Sequence, residues 1–281
     1  MPIQRSTGMP HLDAQADFAR ARRRQHLARI AAWLSREHDV GVILPFEEVV
    51  RELGFVGERE LGRQVIALDT IVGSVDRMRD FDRSFRPTSP RTRGRWEGIA
   101  TAMRRGQAMP PIDVYRIGEI HFVRDGHHRV SVARALGWKD MEANVTEVQT
   151  RVGAEAAIEL ADLPLKGHER LFWERVPLPA EARQEIKLSD PWSYGDLAEG
   201  IEAWGFRAMQ QRGGLLDRET VARMWLEEEY RPVVALLREA GMIEGSGAET
   251  EMYMRVAAER YRLLRTHAWS DDVLERLRAS R

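Results

Sequence analysis

The residues with the clearest chemical potential are five neighbours in the sequence, Asp125, Gly126, His127, His128 and Arg129. They stand where an extended apolar run gives way to a stretch with valine and alanine at helical spacing. A glycine permits a turn that a Cβ would obstruct, and the first N–H groups of a helix lack intrahelical partners and carry partial positive charge. This junction is therefore predicted to bind phosphate, because arginine adds a fork for phosphate oxygens and histidine can donate hydrogen bonds.

Each of these residues also has an alternative role. Arg129 could form a structural ion pair. Asp125 is a candidate for holding Mg²⁺ through water or for orienting a histidine, but aspartate before glycine is also ordinary turn chemistry. Adjacent histidines in one turn rarely converge on zinc, so we expect His127 and His128 to hydrogen-bond phosphate or substrate. The two histidines are in addition candidates for catalytic proton transfer.

A second candidate segment is the charged loop that precedes Arg91. Arg77 and Arg79 are predicted to bind further phosphates, and Arg86 is the first choice among the later arginines because Pro87 fixes its surroundings. The carboxylates that are candidates for a general base or a metal ligand are Asp76, Asp80 and Asp82. The alternative is a solvated loop held by salt bridges.

The motif D-G-H-H-R resembles the signature of the ParB/sulfiredoxin-like superfamily, whose G-x-x-R turn matches Gly126 to Arg129. The resemblance covers roughly Arg63 to Val148 and includes Gln64 to Ser74, a helix near Arg91 to Arg105, and Pro110 to Val123. The segment DGHHRVSVARALG is most similar to ParB N-terminal-domain proteins, and less similar to true partition proteins, whose matching box reads G-E-R-R. The resemblance implies a nucleoside di- or triphosphate (CTP, ATP or ADP) with Mg²⁺ as cofactors.

Several functions follow from this resemblance. The favoured one is a nucleotide-binding protein whose ligand controls a protein partner or an interaction with DNA. The alternative is a small-molecule kinase that phosphorylates a free serine-like substrate, as some superfamily members with D-G-H-x-R do. A nuclease ranks lowest because clustered carboxylates of a two-metal site are not evident. Sulfiredoxin chemistry is excluded because His127 stands where sulfiredoxins have their cysteine.

The amino-acid composition excludes several other classes of protein and site. The chain has 281 residues, of which 43% are hydrophobic and 31% charged, with a formal net charge of −1 and no cysteine. Disulfides, thiolate metal sites and cysteine nucleophiles are therefore excluded. No apolar run approaches the ~20 residues that span a bilayer, and the start of the chain lacks the hydrophobic core of a signal peptide. We therefore expect a soluble, cytoplasmic protein without a membrane contact.

The charges are unevenly distributed. Between Val75 and Arg105 there are nine arginines and four acidic residues, whereas between Glu181 and Arg281 there are 15 basic and 19 acidic residues. Arg20 to Arg24 carries four more arginines on a predicted helix, where a solvated face is favoured over a nucleic-acid arm. If the protein binds DNA, we expect contact through Arg77 to Arg105 or Arg20 to Arg24.

The helices and strands expected from the sequence indicate an α+β fold. It has a small mixed sheet, N-terminal helices and an all-helical C-terminal region. The domains are predicted at 1–62, 63–150 and 151–281, with nucleotide binding in the second. Helices are expected at Ala14 to Arg36 (apolar face Phe18, Ala21, Leu27, Ile30, Ala31 and Leu34), Phe46 to Leu53, Thr92 to Arg105 (packed on the sheet), Glu251 to Leu264 and Asp271 to Ala279. Strands are expected at Gln64 to Leu68, Ile112 to Ile117, Ile120 to Val123 and Glu142 to Val148.

The C-terminal region offers little sign of DNA recognition. Tyr194 to Met209 weakly suggests a helix-turn-helix, as found after the nucleotide domain of partition proteins. Its polar face is dominated by Asp196, Glu199 and Glu202, which would repel phosphates. Pro177, Pro179 and Pro191 are predicted to separate helices, and Pro232 to interrupt another.

Overall fold

The structure, a computed structural model, describes residues 7–35, 43–76, 80–154, 158–243 and 248–264. The chain divides into two compact units, Met1–Gly167 and His168–Arg281. The predicted α+β class is confirmed, because the described residues form helices and one mixed six-stranded sheet. The predicted boundary after residue 62 falls within a strand of the first unit. The predicted helix Asp271 to Ala279, Arg77, Arg79 and the side chain of Leu34 lie outside the described parts.

The sheet belongs to the N-terminal unit. Its strands are β1 (Leu44–Pro45), β2 (Phe55–Ala67), β3 (Ile71–Ser74), β4 (Ile112–Ile117), β5 (Ile120–Asp125) and β6 (Asp140–Thr150). The spatial order is β1-β3-β5-β4-β6-β2. Strands β1, β3 and β5 run parallel to one another. Strand β4 forms an antiparallel hairpin with β5 and runs parallel to β6, and β2 lies antiparallel to β6.

Strand β2 is much longer than the prediction of Gln64 to Leu68. Its first part has no alternation of apolar and polar residues, because both faces are largely exposed. Pairing with β6 and ion pairs across the two strands hold it instead. Arg59 lies 2.8 Å from Glu147, and Arg63 lies 3.3 Å from Glu142. Strand β3 was also not predicted, because it spans only four residues, all buried.

The helices that flank the sheet are α2 (Phe46–Leu53), as predicted, and α4 (His127–Ala135), which follows the D-G-H-H-R turn. Val130 and Ala133 of α4 pack on the sheet. They share a core with Phe85 from the charged loop and with apolar residues of the strands. The loop is thus anchored in the core by an aromatic side chain, and is not only a solvated connection.

Helices α1 (Pro10–Ser35) and α3 (Arg93–Arg104) form a second core with α4. Trp96 of α3 is fully buried and packs edge-on against Phe18 of α1, with 5.5 Å between ring centroids. The prediction that α3 packs on the sheet is therefore wrong, because the apolar face of α3 is covered mainly by helices. The predicted apolar face of α1 is correct at its first two positions and wrong further on. Leu27 and Ile30 are 57% and 55% exposed.

The described part of the C-terminal unit is all-helical, as predicted. After α5 (Leu163–Arg175), which spans the boundary between the units, it contains α6 (Ala180–Arg183), α7 (Ser193–Arg212), α8 (Arg218–Trp225), α9 (Arg231–Glu239) and α10 (Glu249–Leu264). A π-helical turn, Leu226–Tyr230, connects α8 and α9 directly before Pro232, whose missing N–H disrupts regular α-helical bonding. Tyr194 to Met209 lies within one uninterrupted helix, so it contains no helix-turn-helix.

None of the helices that the structure describes combines the length and apolar character needed to cross a membrane.

Candidate functional site

The D-G-H-H-R turn and the charged loop meet at one edge of the sheet. Strands β3 and β5 are parallel, with Ser74 opposite Val123, so their carboxyl ends lie side by side. The N–H of Val75 donates to the carbonyl of Val123 at 3.0 Å and extends this pairing into the loop. The charged loop thus starts beside the turn. In α/β sheets, the carboxyl ends of strands are where ligands commonly bind.

Gly126 makes the sharp turn from β5 into α4. Its φ of 101° is left-handed, and a Cβ at this position would lie 2.4 Å from Cγ2 of Ile112. The glycine is thus required both by backbone conformation and by close packing. As the N-cap of α4 it brings no side-chain acceptor to the first turn of the helix. The first turn of α4 is therefore not capped by the side chain of its N-cap residue.

Arg129 holds the turn together. Its Nη1 donates to the carbonyls of Pro110 and Pro111 at 2.6 and 2.7 Å, and its Nη2 donates to Oδ2 of Asp125 at 2.7 Å. The side chain of Arg129 is 14% exposed and that of Asp125 is 62% exposed. These contacts are those of the structural ion pair considered above. Phosphate binding by the guanidinium stays a prediction. A bound phosphate would share the guanidinium with the two carbonyls and the carboxylate that it already contacts.

His127 is buried beneath the loop. Its Nε2 lies 2.7 Å from Oγ of Ser74, and its ring clusters with those of Phe81 and Phe85, each with a centroid 6.4 Å away. Ser74 is fully buried, so this pair fixes the position of the imidazole and offers no exposed nucleophile. Ser74 was missed in the sequence. The available signal was a hydroxyl at the end of the strand that neighbours β5.

His128 and Asp76 are more accessible than His127 and Ser74. His128 is half-buried, and its ring packs edge-on against Phe81 with 5.2 Å between centroids. Asp76 is exposed, and its N–H donates to Oγ of Ser74 at 3.2 Å. One backbone contact thus links the start of the loop to the serine that bonds His127.

The other loop candidates have structural partners. Oδ2 of Asp82 accepts from Nε of Arg86 at 2.8 Å, and Oδ1 accepts from two backbone N–H groups, those of Ser84 and Arg86. The carbonyl of Asp80 accepts from the N–H of Thr88 at 2.9 Å. Asp82 and Arg86 therefore brace the loop, and Asp76 is the exposed residue among the three loop aspartates.

A metal site built from protein side chains alone is not indicated at this edge. Over the described ranges, no group of three or more histidine, aspartate or glutamate side chains is arranged to hold a metal ion. A Mg²⁺ ion at Asp125 would need phosphate oxygens and water as its remaining ligands, which is a usual arrangement for this ion.

Comparison of the chain with protein-family models, with curated proteins and with solved structures finds no match in any of the three.

Proposed function

We propose that the protein is a ParB-like nucleotide-binding protein, in which the start of α4 binds the phosphates of a nucleoside di- or triphosphate. The observation that supports this most directly is the glycine-capped start of α4 at the carboxyl ends of β3 and β5. Helix amides there can donate to phosphate oxygens, and the helix dipole favours negative charge. Bound nucleotide would control a protein partner or an interaction with DNA.

Each residue of the turn would have a distinct part in binding. Gly126 supplies the left-handed turn with which the helix starts, and its missing side chain makes room for Ile112 beside that turn. Arg129 orients the turn through the carbonyls of Pro110 and Pro111, and adds positive charge close to the helix start. His128 supplies a half-buried imidazole that can donate to a phosphate oxygen. Asp125 would contact the phosphates through Mg²⁺.

The position of Asp76 favours the kinase as the second candidate function. Asp76 is exposed, and its backbone N–H donates a hydrogen bond to the hydroxyl of Ser74, which is the partner of His127. In phosphoryl transfer, such a carboxylate accepts the proton of the acceptor hydroxyl while cations neutralise the phosphates. The proton would pass from the acceptor oxygen to Asp76 as the new O–P bond forms and the nucleoside phosphate leaves.

Calorimetry with CTP, ATP, ADP and GTP in the presence of Mg²⁺ tests the proposed binding. For the nucleotide that binds, His128→Ala is expected to weaken affinity at least tenfold, which is about 1.4 kcal/mol. His168→Ala is the matched control. His168 is also half-buried against an aromatic ring, that of Trp192 at 5.0 Å, but it belongs to the C-terminal unit. Absence of binding by all four nucleotides, or equal losses in both variants, would reject the proposal.

Turnover separates the two candidate functions. The regulatory protein is expected to bind nucleotide without transferring phosphate to serine-like acceptors. For the kinase, Asp76→Asn should lower turnover by roughly 10²-fold while nucleotide affinity is largely kept, which is the usual scale for a general base. Multiple-turnover transfer that Asp76→Asn abolishes would establish the kinase in place of the regulatory protein.

A further inference from the structure

A cationic cleft lies in the N-terminal unit, away from the D-G-H-H-R turn. It has a volume of about 560 Å³ and is bordered by α1, by the loop around Arg83 to Arg86, by the start of β3 and by the residues that follow α4. The part of α4 that lines it is the second half, Ser131 to Ala135, whereas the turn lies at the first residue of this helix. The cleft is therefore a separate site on the same helix.

Positive charge dominates the lining. Two basic segments that are distant in the sequence, one on α1 and one in the charged loop, both contribute. The six cationic side chains at the cleft are Arg20, Arg24, Arg83, Arg86, Arg134 and Lys139. Among the described residues that line it, the acidic ones are Asp17 and Asp69. The carboxylate of Asp17 binds both Arg104, with Nη2 at 2.6 Å, and Arg20, with Nη1 at 3.2 Å. Asp82 binds Nε of Arg86 at 2.8 Å. Arg20 and Arg86 are therefore offset, and the positive charge offered to a ligand comes mainly from Arg24, Arg83, Arg134 and Lys139.

Some of these cations form the wall and others are available to a ligand. Arg134 donates to the carbonyls of Leu68 and Ile71, and burial lowers its pKa to about 10, which still leaves it charged at neutral pH. Arg24 and Lys139 are exposed at the rim. Both wall and rim thus attract anions.

Arg83 adds an unsatisfied donor. Its Nη2 donates to the carbonyl of Ile158 at 2.6 Å, whereas its Nη1 is buried with no hydrogen-bond partner among the described residues. Buried donors are rarely left unpaired in native proteins, so an acceptor other than the described residues is expected near this wall.

The size and lining of the cleft indicate the class of ligand. A volume of several hundred Å³ is typical of sites for small molecules, not of extended nucleic-acid surfaces. Several guanidinium groups that converge on one concave surface suit a compact ligand with several negative oxygens. Trp138, which is 42% exposed at the rim, adds an aromatic face on which a base could stack.

We propose that this cleft binds a small ligand with two or more linked phosphate groups, independently of the nucleotide site at the turn. The phosphates contact the rim cations Arg24 and Lys139 above a wall that contains Arg83 and Arg134. Inorganic polyphosphate and nucleoside polyphosphates share this chemistry.

The test is calorimetric titration of the full-length protein with tripolyphosphate at low ionic strength. Arg24→Ala and Lys139→Ala are each expected to weaken binding about threefold to tenfold, and the double variant at least tenfold. Arg23→Ala is the matched control, because Arg23 is an exposed neighbour on α1 that does not line the cleft. Arg23→Ala and the turn variant His128→Ala should both keep the affinity for tripolyphosphate.

The outcomes distinguish this proposal from its alternatives. Equal affinity for ATP and tripolyphosphate supports a bare polyphosphate ligand. Tighter ATP binding that is lost in Trp138→Ala but kept in His128→Ala supports a nucleoside polyphosphate in this cleft. No measurable binding of tripolyphosphate, or an equal loss in Arg23→Ala, would overturn the proposal. Displacement of tripolyphosphate by duplex DNA at lower concentration would also overturn it, in favour of a nucleic-acid surface.

Discussion

Gly126 and Gly137 stand at opposite ends of α4, and both have a left-handed backbone, with φ values of 101° and 79°. Their surroundings differ. A Cβ at Gly126 would lie 2.4 Å from Ile112, whereas a Cβ at Gly137 would have no neighbour within 4 Å. Substitution to alanine thus adds strain in the backbone at both sites and a steric clash at only one.

We expect Gly137→Ala to lower the free energy of unfolding by about 1 kcal/mol, the usual cost of a left-handed alanine. Gly126→Ala should cost about 1–3 kcal/mol more, because Ile112 belongs to a packed core. Urea denaturation of both variants measures the difference. Equal costs would show that the chain relaxes around position 126 and that close packing does not explain this glycine.

At the residue scale, the sequence predicts which types of residue gather at the turn but not how they bond. From the motif we correctly predicted that a helix begins directly after Gly126, because the apolar residues that follow have helical spacing. The contacts of Arg129 with Pro110 and Pro111 depend on how two distant segments approach, so no local pattern reveals them. Ser74 was missed for the same reason, because its partner His127 lies on another element.

At the scale of elements, β5 carries a buried titratable group whose effect on stability has a definite sign. Nδ1 of His121 lies 2.8 Å from Oγ1 of Thr70, and that hydroxyl donates to the carbonyl of Ala67 at 2.7 Å. The hydroxyl must therefore accept from His121, so Nδ1 carries the proton of the neutral ring. Burial, with a smaller contribution from Arg116, lowers the pKa of His121 from 6.5 to about 4.

We expect this histidine to destabilise the protein in acid. The unfolded chain takes up a proton near pH 6.5, whereas the folded protein does so only near pH 4. The contribution to stability is therefore complete above pH 6.5 and is lost as the pH falls towards 4, by up to about 3 kcal/mol. Urea denaturation between pH 7 and pH 4 measures this loss.

His121→Asn is the informative variant, because its amide can still donate to Thr70 but does not titrate. It should remove most of this pH dependence, while His11→Asn, an exposed histidine on α1, should keep it. An unchanged pH profile in His121→Asn would assign the acid sensitivity to other groups.

Periodicity predicted the elements that bury one face. Strands β4 and β5 are found where apolar runs placed them, and helix α2 is found at its predicted bounds. The first half of β2 was missed because ion pairs and backbone pairing hold an exposed strand without an apolar pattern. The partner of α3 could not be predicted, since an apolar stripe does not distinguish a sheet from another helix.

At the scale of the whole molecule, the two units have different roles in our proposals, because both candidate sites lie in Met1–Gly167. We expect saturating tripolyphosphate to slow amide hydrogen exchange in α1, in the loop around Arg83 to Arg86 and at the end of α4. Ligand at 100 times its Kd would add about 2.7 kcal/mol to the stability of the unit that binds it.

Mass spectrometry of exchange with and without ligand tests this expectation, with the double variant Arg24→Ala/Lys139→Ala as the control that should gain no protection. Exchange in α7 to α10 should stay unchanged. Protection centred on those helices instead would place the polyphosphate site in the C-terminal unit.

The two outer strands of the sheet have a consequence for self-association. Strand β1 is only two residues long and ends in Pro45, which has no N–H to offer to an incoming strand. Strand β2 has register irregularities between Phe55 and Gly57 and between Glu60 and Gly62. It also carries charged side chains along its exposed faces. Short length, proline, bulges and charge are the features that protect sheets from edge-to-edge aggregation. Copies of this protein are therefore expected to stay apart at high concentration, instead of joining their sheets into fibres.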